Sequence, residues 1–314
     1  MPLSPTAAML SLFARPVFTA FLLLGTTGFA AEDAIDAPAV ATYRRNISEV
    51  RITFFATDAR NRPVEKITRE DFAVVDSGIV VRDFRSLMKS DETKLDVVAL
   101  IDTSESVAAR FPSTINASLQ SVLPNQRATV DNFSVISFGG SQPALVCAYD
   151  CRTSAGRKLV GMKPGGATPL YDALVDGANL IQQRRIPGVR PVLILFSDGN
   201  DTISRHSSRD ALEAIIASGA ILYAIDLNPP TDGASASAYL QQLADASGGR
   251  YFPPRDGSVH ALEAALEDLR SSYVVTYSLP SHATGLHSLR ILPKHDLNLR
   301  FHSRSSYDCE SSVQ

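Results

Sequence analysis

Residues 95–106 read L-D-V-V-A-L-I-D-T-S-E-S, and this stretch decides the fold. It begins with the apolar run 97–101, which is rich in β-branched side chains. A short run that is apolar on both faces is typical of a strand buried on both sides in a parallel sheet. The run ends in the oxygen-bearing side chains of Asp102, Ser104 and Ser106. Open α/β sheets bind ligands at the carboxyl ends of their strands, and such oxygens suit Mg²⁺ or Mn²⁺.

Two later stretches also place polar side chains at the ends of predicted elements. The apolar run 191–197 is predicted as a second buried strand, and Asp198 and Gly199 follow it. Residues 165–174 read G-G-A-T-P-L-Y-D-A-L and place Thr168 just before a predicted helix. Taken singly, Asp, Ser and Thr at such positions are also ordinary helix caps or turn residues. Taken together, they predict one metal site where two strands end side by side.

The order of predicted elements divides the chain into segments. Between residues 93 and 272 strands alternate with helical periodicity, which indicates a doubly wound, mainly parallel α/β domain. The flanks contain only predicted strands, at 49–57, 72–76, 79–87, 273–279, 286–292 and 297–302. Each flank alone has too few strands for stability, so we expect both to form one small β module. The predicted divisions are 1–30, a signal peptide; 31–92, an N-terminal β module and linker; 93–272, the α/β domain; and 273–314, strands that pack with the N-terminal module.

The N-terminus predicts export. Residues 17–24 form an apolar segment, and Gly28 and Ala30 give the small-residue pattern of a signal peptidase site, with cleavage after Ala30. We therefore expect a secreted or periplasmic protein with no membrane span after signal removal. The formal charge of -3 indicates no general affinity for nucleic acid.

Three cysteines leave alternatives open. In an exported protein, Cys147 and Cys151 are candidates for a disulfide across a short loop, and a metal pair is the other interpretation. Cys309 is left over, either as a free thiol or as an intermolecular partner.

The motifs D-T-S-E-S, G-G-A-T-P-L-Y-D-A-L and F-S-D-G-N-D-T together resemble a von Willebrand factor type A domain with a complete metal-ion-dependent adhesion site. The segments T-D-A-R-N-R-P-V-E-K-I-T-R-E-D-F and A-S-G-G-R-Y-F resemble bacterial secreted proteins of that group. The resemblance covers residues 49–307. It implies a Rossmann-like sheet wrapped by helices, with a divalent cation at the top edge.

By motif match, the resemblance implies five site residues. Ser104, Ser106 and Thr168 would bind the metal directly, and Asp102 and Asp198 would act mostly through water. The expected ion is Mg²⁺, with Mn²⁺ or Ca²⁺ as substitutes. Neutral hydroxyl ligands would leave the cation under-neutralised, so that it attracts a carboxylate of a partner. The sequence departs from the pattern at Glu105, where many relatives have Gly. This charge is expected to be solvated, to weaken the capture of acidic ligands, or to favour a closed loop.

We therefore expect a divalent-cation-dependent protein-binding or adhesion module of an exported bacterial protein. Its partner would be a protein with an exposed carboxylate. We expect no enzymatic activity, since the sequence shows no nucleophile and base in a recognisable arrangement. A metal-dependent hydrolase and a scaffold with a purely structural metal site are the alternatives.

Overall fold

The computed structural model describes residues 49–90, 94–111, 130–149, 151, 161–229, 235–279 and 285–309. The strands are β1 (Glu49–Thr57), β2 (Phe72–Asp76), β3 (Ile79–Val80), β4 (Phe84–Lys89), β5 (Lys94–Asp102), β6 (Val130–Phe138), β7 (Pro143–Cys147), β8 (Val189–Ser197), β9 (Ile221–Asp226), β10 (Arg250–Phe252), β11 (Tyr273–Ser278), β12 (Gly285–Pro293), β13 (Arg300–Ser303) and β14 (Ser306–Cys309). The α-helices are α1 (Leu170–Arg184), α2 (Ser208–Ser218), α3 (Ser235–Ser247) and α4 (Ser258–Arg270).

A six-stranded sheet with the order β10-β9-β8-β5-β6-β7 occupies the middle of the described chain. Its first five strands run parallel, and β7 pairs antiparallel with β6. Every residue of β5 after Lys94 is buried. Val97, Ala99 and Ile101 face one apolar cluster, and Val98 and Leu100 face another on the opposite side. The predicted strand buried on both faces is therefore confirmed.

Helices cover both faces of this sheet. The apolar stripes of α1, α2 and α3 pack on one side, through residues such as Leu174, Ile215 and Leu243. Helix α4 packs on the other side through Leu262 and Leu266. The doubly wound, mainly parallel α/β fold predicted from the sequence is confirmed.

The flanking strands form a sandwich of two antiparallel sheets. One sheet has the order β13-β1-β11-β4 and the other β14-β12-β2-β3, so each contains strands from both ends of the chain. Their apolar faces share one core, in which the ring centroids of Phe54 and Phe72 lie 4.9 Å apart. The residue limits that the sequence suggests for the separate domains stay predictions, and the described residues from 49 to 309 belong to one compact unit.

The sandwich packs at the amino-terminal ends of the central strands. Arg190, near the start of β8, donates hydrogen bonds to Ser90 and Ser272, which lie in the two connections between sandwich and α/β domain. Phe55 of β1 packs near Tyr223 of β9 and stacks on His302 with ring centroids 4.6 Å apart. The carboxyl ends of the central strands lie at the opposite edge of the sheet.

Some predicted elements differ from the structure. The predicted strand at 79–87 is wrong as one element, because β3 and β4 belong to different sheets and the chain turns between them. Strands β7 and β14 were not predicted, and the strand expected at 297–302 is β13, shifted towards the C-terminus. The helix expected at 107–123 begins with a 3-10 turn, Glu105–Val107, and most of it lies outside the described residues, as does the segment 1–30 that is predicted to be a signal peptide. Within the described ranges, no helix is long and apolar enough to cross a membrane.

Candidate metal centre

Two carboxylates stand next to each other at the carboxyl edge of the central sheet. Asp102 is the last residue of β5, and Asp198 directly follows the neighbouring strand β8. The two strands pair up to Ile101 and Phe196. Both carboxylate residues are buried, with 0% of Asp102 and 2% of Asp198 exposed. Their proximity follows from the parallel pairing of two buried strands.

Hydrogen bonds fix the orientation of Asp102. Its Oδ1 accepts a bond from the backbone N–H of Ser104 at 2.9 Å, and its Oδ2 accepts one from the Ser197 hydroxyl at 2.8 Å. The same Ser197 oxygen accepts the N–H of Gly199 at 3.1 Å. Ser197 thus links Asp102 to the turn that contains Asp198. Sequence reasoning did not single out Ser197, although a hydroxyl at the end of a buried strand is the available signal.

The hydroxyls of Ser104 and Ser106 form a pair beside this carboxylate. Their oxygens lie 3.1 Å apart. Two ligands in adjacent positions of an octahedral Mg²⁺, each at about 2.1 Å, are separated by about 3.0 Å. The hydroxyl of Ser104 does not cap the following 3-10 turn, so the ordinary cap interpretation is wrong for this residue. The donor types and this spacing fit a small divalent cation.

Backbone hydrogen bonds bring the Thr168 loop against the Ser104 loop. Gly165 N–H donates to the carbonyl of Thr103 at 2.8 Å, and Glu105 N–H donates to the carbonyl of Gly166 at 3.1 Å. Gly166 has a φ of +84°, and a Cβ there would lie 3.0 Å from Gly140 Cα. Glycine is therefore required for this close approach.

Thr168 is also tied to the loop after Asp198. Its N–H donates to Thr202 Oγ1 at 2.7 Å, and its carbonyl accepts the N–H of Thr202 at 2.9 Å. Helix α1 has Pro169 as its N-cap, without a side-chain capping bond. Thr168, which is 4% exposed, therefore does not act as the N-cap, and it lies between the loops of Asp102 and Asp198. Coordination of a metal by these five residues stays a prediction.

The electrostatics of the site favour a cation. Burial raises the pKa of Asp102 to about 6, hydrogen bonds from Ser104 and Ser197 lower this pKa in part, and the charge of Asp198 raises it further. Two carboxylates that are both shielded from water repel each other, so a divalent cation between them relieves the repulsion. Among the described residues, no group of three His, Cys, Asp or Glu residues is arranged to hold a metal.

A second layer of hydrogen bonds supports the Asp198 turn. Asn228 Nδ2 donates to the carbonyl of Asp198 and to Asp226 Oδ1, each at 2.8 Å. The other oxygen of Asp226 accepts bonds from Ser237 at 2.6 Å and from Tyr251 at 2.7 Å. The sequence did not indicate these residues as part of the site, because they become neighbours only through the fold.

Two further acids stabilise the start of α1. Asp201 Oδ1 accepts the N–H of Tyr171 at 3.2 Å, as expected for a cap or loop residue. Asp172 is buried and accepts His206 Nδ1 at 2.7 Å together with the backbone N–H groups of Arg205 and His206. Burial opposes ionisation of Asp172, but these hydrogen bonds outweigh it and lower the pKa. Both acids are therefore engaged in holding loops around the site.

Glu105 lies at the rim of the site, whereas a disulfide on the edge strand β7 lies beside the middle of β6, away from that rim. Glu105 is exposed, and its Oε2 lies 3.3 Å from the position that a Cβ on Gly165 would take. Cys147 and Cys151 form a disulfide with their Cα atoms 5.7 Å apart, which confirms this pairing and excludes the metal-pair alternative.

Comparison with known proteins identifies the family. The sequence profile described as the von Willebrand factor type A domain matches residues 96–267. The magnesium-chelatase 67 kDa subunit of Chlorobaculum parvum is 28% identical over 186 residues, covering 54% of this chain and 30% of that protein. The corresponding subunit of Chlorobaculum tepidum is 28% identical over 192 residues, with the same coverage of 54% and 30%. The chain thus spans less than a third of these curated relatives.

Two solved structures are similar in shape. A von Willebrand factor type A protein from Catenulispora acidiphila has 13% identity and a TM-score of 0.45, covering 86% of this chain and 76% of that one. The manganese-loaded TRAP protein of Plasmodium vivax has 14% identity and a TM-score of 0.43, covering 76% of this chain and 100% of that one. The family profile spans more than half of the 314 residues. The chain therefore belongs to the von Willebrand factor type A domain family.

Proposed function

We propose that this protein is a divalent-cation-dependent binding module of an exported bacterial protein, and that it captures an acidic group of a protein partner. The observation that carries the proposal is the pair of serine hydroxyls, Ser104 and Ser106, 3.1 Å apart in front of the buried Asp102. These hydroxyls and that of Thr168 would hold the cation directly. Asp102 and Asp198 would hold it through water.

The chain's own residues keep this donor set in place. Ser197 and the N–H of Ser104 fix both oxygens of Asp102, so this carboxylate needs little rearrangement on binding. A Mg²⁺, Mn²⁺ or Ca²⁺ held mainly by neutral hydroxyls would leave a position open to a carboxylate from outside. Glu105 adds a negative charge at the rim, and we expect it to weaken the capture of acidic partners.

Export is the second part of the proposal. The disulfide Cys147–Cys151 is of a kind that persists in oxidising compartments. The apolar segment 17–24 and the small residues before position 31 support a cleaved signal peptide. We therefore place the mature protein in the periplasm or outside the cell.

Two alternatives are a metal-dependent enzyme and a scaffold with a structural cation. Similarity to magnesium-chelatase subunits is the observation that favours an enzymatic assembly. We prefer binding, because the donor set proposed here contains no group assigned to move a proton.

The experiment compares the wild-type chain with Ser106→Ala and Ser288→Ala. Both serines are exposed, so neither change should disturb the core, and Ser288 lies on β12 of the sandwich. Each protein is immobilised and used to capture partners from the native cell envelope, with Mg²⁺ or with EDTA. Direct Mn²⁺ affinity is measured by calorimetry.

We expect wild type and Ser288→Ala to retain a partner in Mg²⁺ and to release it in EDTA. Ser106→Ala should bind Mn²⁺ at least about tenfold more weakly and lose the partner, since it lacks one ligand. If wild type binds Mn²⁺ but retains its partner in EDTA, the result would indicate a scaffold with a structural cation. Unchanged Mn²⁺ affinity in Ser106→Ala would contradict the assigned ligand set.

A further inference from the structure

A cavity of about 340 Å³ lies between the sandwich and the α/β domain, at the edge of the sheet opposite the candidate metal centre. Three arginines line it: Arg51 from β1, Arg190 from β8, and Arg304 from the bend between β13 and β14. None of the described residues that line the cavity is Asp or Glu. The cavity is therefore strongly cationic, although the whole chain has a formal charge of -3.

Arg190 is the innermost of these cations. It is 6% exposed, and its guanidinium donates to the carbonyls of Leu269 and Ser90 and to the hydroxyls of Ser90 and Ser272. Every one of these acceptors is neutral. Most N–H donors of Arg190 are thus hydrogen-bonded, but none of these acceptors neutralises its positive charge.

Arg304 and Arg51 provide donors that face the cavity. Arg304 Nη2 donates to the carbonyl of Gly219 at 3.0 Å, and a guanidinium has five N–H donors in total. Arg51 is exposed. In the part of the chain that the structure describes, none of the three arginines forms an ion pair with a carboxylate.

Helix ends compensate only part of this charge. The Leu269 carbonyl lies in the last turn of α4, and Gly219 directly follows α2, so both acceptors belong to helix C-termini. Such an end has the effect of roughly half a negative charge. Burial lowers the pKa of both Arg190 and Arg304, which reflects the free energy of removing each charge from water. Arginine nevertheless stays protonated, so the positive charge remains.

We propose that this cavity binds the phosphate group of a small molecule, with Arg304 and Arg51 donating to its oxygens and Arg190 supplying charge from below. Phosphate matches the fork of a guanidinium and presents enough oxygens for two such groups at once. The volume lies at the lower end of the range for small-molecule sites, about 300–1,000 Å³. This volume is large enough for a compact anion such as a phosphomonoester.

The test measures binding of inorganic phosphate and of glycerol 3-phosphate to the full chain by calorimetry at constant ionic strength. The variants are Arg51→Gln, Arg304→Gln and the control Arg255→Gln. Arg255 lies in a 3-10 turn after β10, and its side chain is 82% exposed. Arg51 is exposed as well, so its substitution should leave folding intact and allow a clear result even if Arg304→Gln is unstable.

We expect saturable binding by wild type and Arg255→Gln, at least tenfold weaker binding by Arg51→Gln, and none by folded Arg304→Gln. Tighter binding of glycerol 3-phosphate than of inorganic phosphate would assign the cavity to a phosphomonoester, and equal affinity would assign it to phosphate itself. Absence of saturable binding by wild type, or equal affinities of Arg51→Gln and Arg255→Gln, would overturn the proposal. The candidate metal centre lies at the other edge of the sheet, so these outcomes are independent of the proposed function.

Discussion

Replacing Ser197 by Ala should remove hydrogen bonds of the candidate metal centre while leaving the rest of the fold unchanged. Ser197 is fully buried and joins Asp102 Oδ2 to the N–H of Gly199. Alanine fits the same space, so the change removes two hydrogen bonds and creates almost no cavity. One bond involves a carboxylate, for which the loss is about 1.5–3 kcal/mol, and the other leaves a buried N–H without its acceptor. We expect the free energy of unfolding to fall by about 3 kcal/mol in EDTA.

The same substitution should weaken metal binding. In other proteins, mutating a residue that orients a metal-binding side chain typically weakens metal affinity by about 10–100-fold. We therefore expect the Mn²⁺ dissociation constant of Ser197→Ala to rise by about that factor. Calorimetric titration with Mn²⁺ measures the affinity, and urea unfolding in EDTA measures the stability.

Ser218→Ala is the matched control. Ser218 is also a buried serine, and its hydroxyl donates to the carbonyl of Ile215 at 2.7 Å and accepts the N–H of Ala220 at 3.1 Å. It lies at the end of α2, just before β9 begins, and thus at the edge of the parallel sheet opposite the one that contains Asp102. We expect this variant to lose about 1 kcal/mol of stability with unchanged Mn²⁺ affinity. If Ser197→Ala binds Mn²⁺ as tightly as wild type, the assignment of Ser197 to the site is wrong.

Three other predictions concern stability. Burial raises the pKa of Asp268 to about 7, so the stabilisation from its protonated side chain is complete below about pH 4 and is lost as the pH rises to 7. Between pH 5 and 8, the free energy of unfolding of wild type, measured in urea, should fall by roughly 2–3 kcal/mol more than that of Asp268→Asn, and equal decreases would contradict this. Phe55→Ala should cost about 3–5 kcal/mol, because Phe55 is 1% exposed at the junction of sandwich and α/β domain, whereas the exposed Leu286→Ala should change stability by less than about 0.5 kcal/mol in the same melts. Removing the Cys147–Cys151 disulfide with Ala at both positions should lower stability by roughly 2 kcal/mol, and a reductant should then have no further effect on the melt.

The sequence predicts the central sheet well because each of its buried strands is marked by an apolar run within a few consecutive residues. Strands β5 and β8 contain the unbroken apolar runs 97–101 and 192–196, and the sheet buries both faces of each strand. The helices follow for the same reason, since α1 keeps its apolar residues on one stripe from Leu170 to Ile181. The three motifs of the candidate site also lie at element ends, where the parallel order of the strands brings them together.

The features that the sequence does not predict depend on contacts between residues that are far apart in the chain. Residues 79–87 are rich in β-branched and other apolar side chains and are therefore predicted as one strand, but their two halves pair in different sheets of the sandwich and the chain turns between them. Asn228 supports Asp198 from thirty positions away, at the end of another strand. The arginine cavity combines three segments that no local pattern connects. Such contacts follow from topology, and a single-sequence pattern contains little information about topology.

The sandwich has a consequence for how the chain folds. Lys89 at the end of β4 pairs with Tyr273 at the start of β11, so the entire α/β domain is inserted between two adjacent antiparallel strands. Closing a disordered loop of that length costs about 3 kcal/mol more in chain entropy than closing a tight turn. If the inserted domain folds first, its two ends already lie together beside Arg190, and that entropic cost disappears. During synthesis β1 and β4 leave the ribosome before their partner strands β11 and β13 exist, so the sandwich is completed last, after the inserted domain has been made.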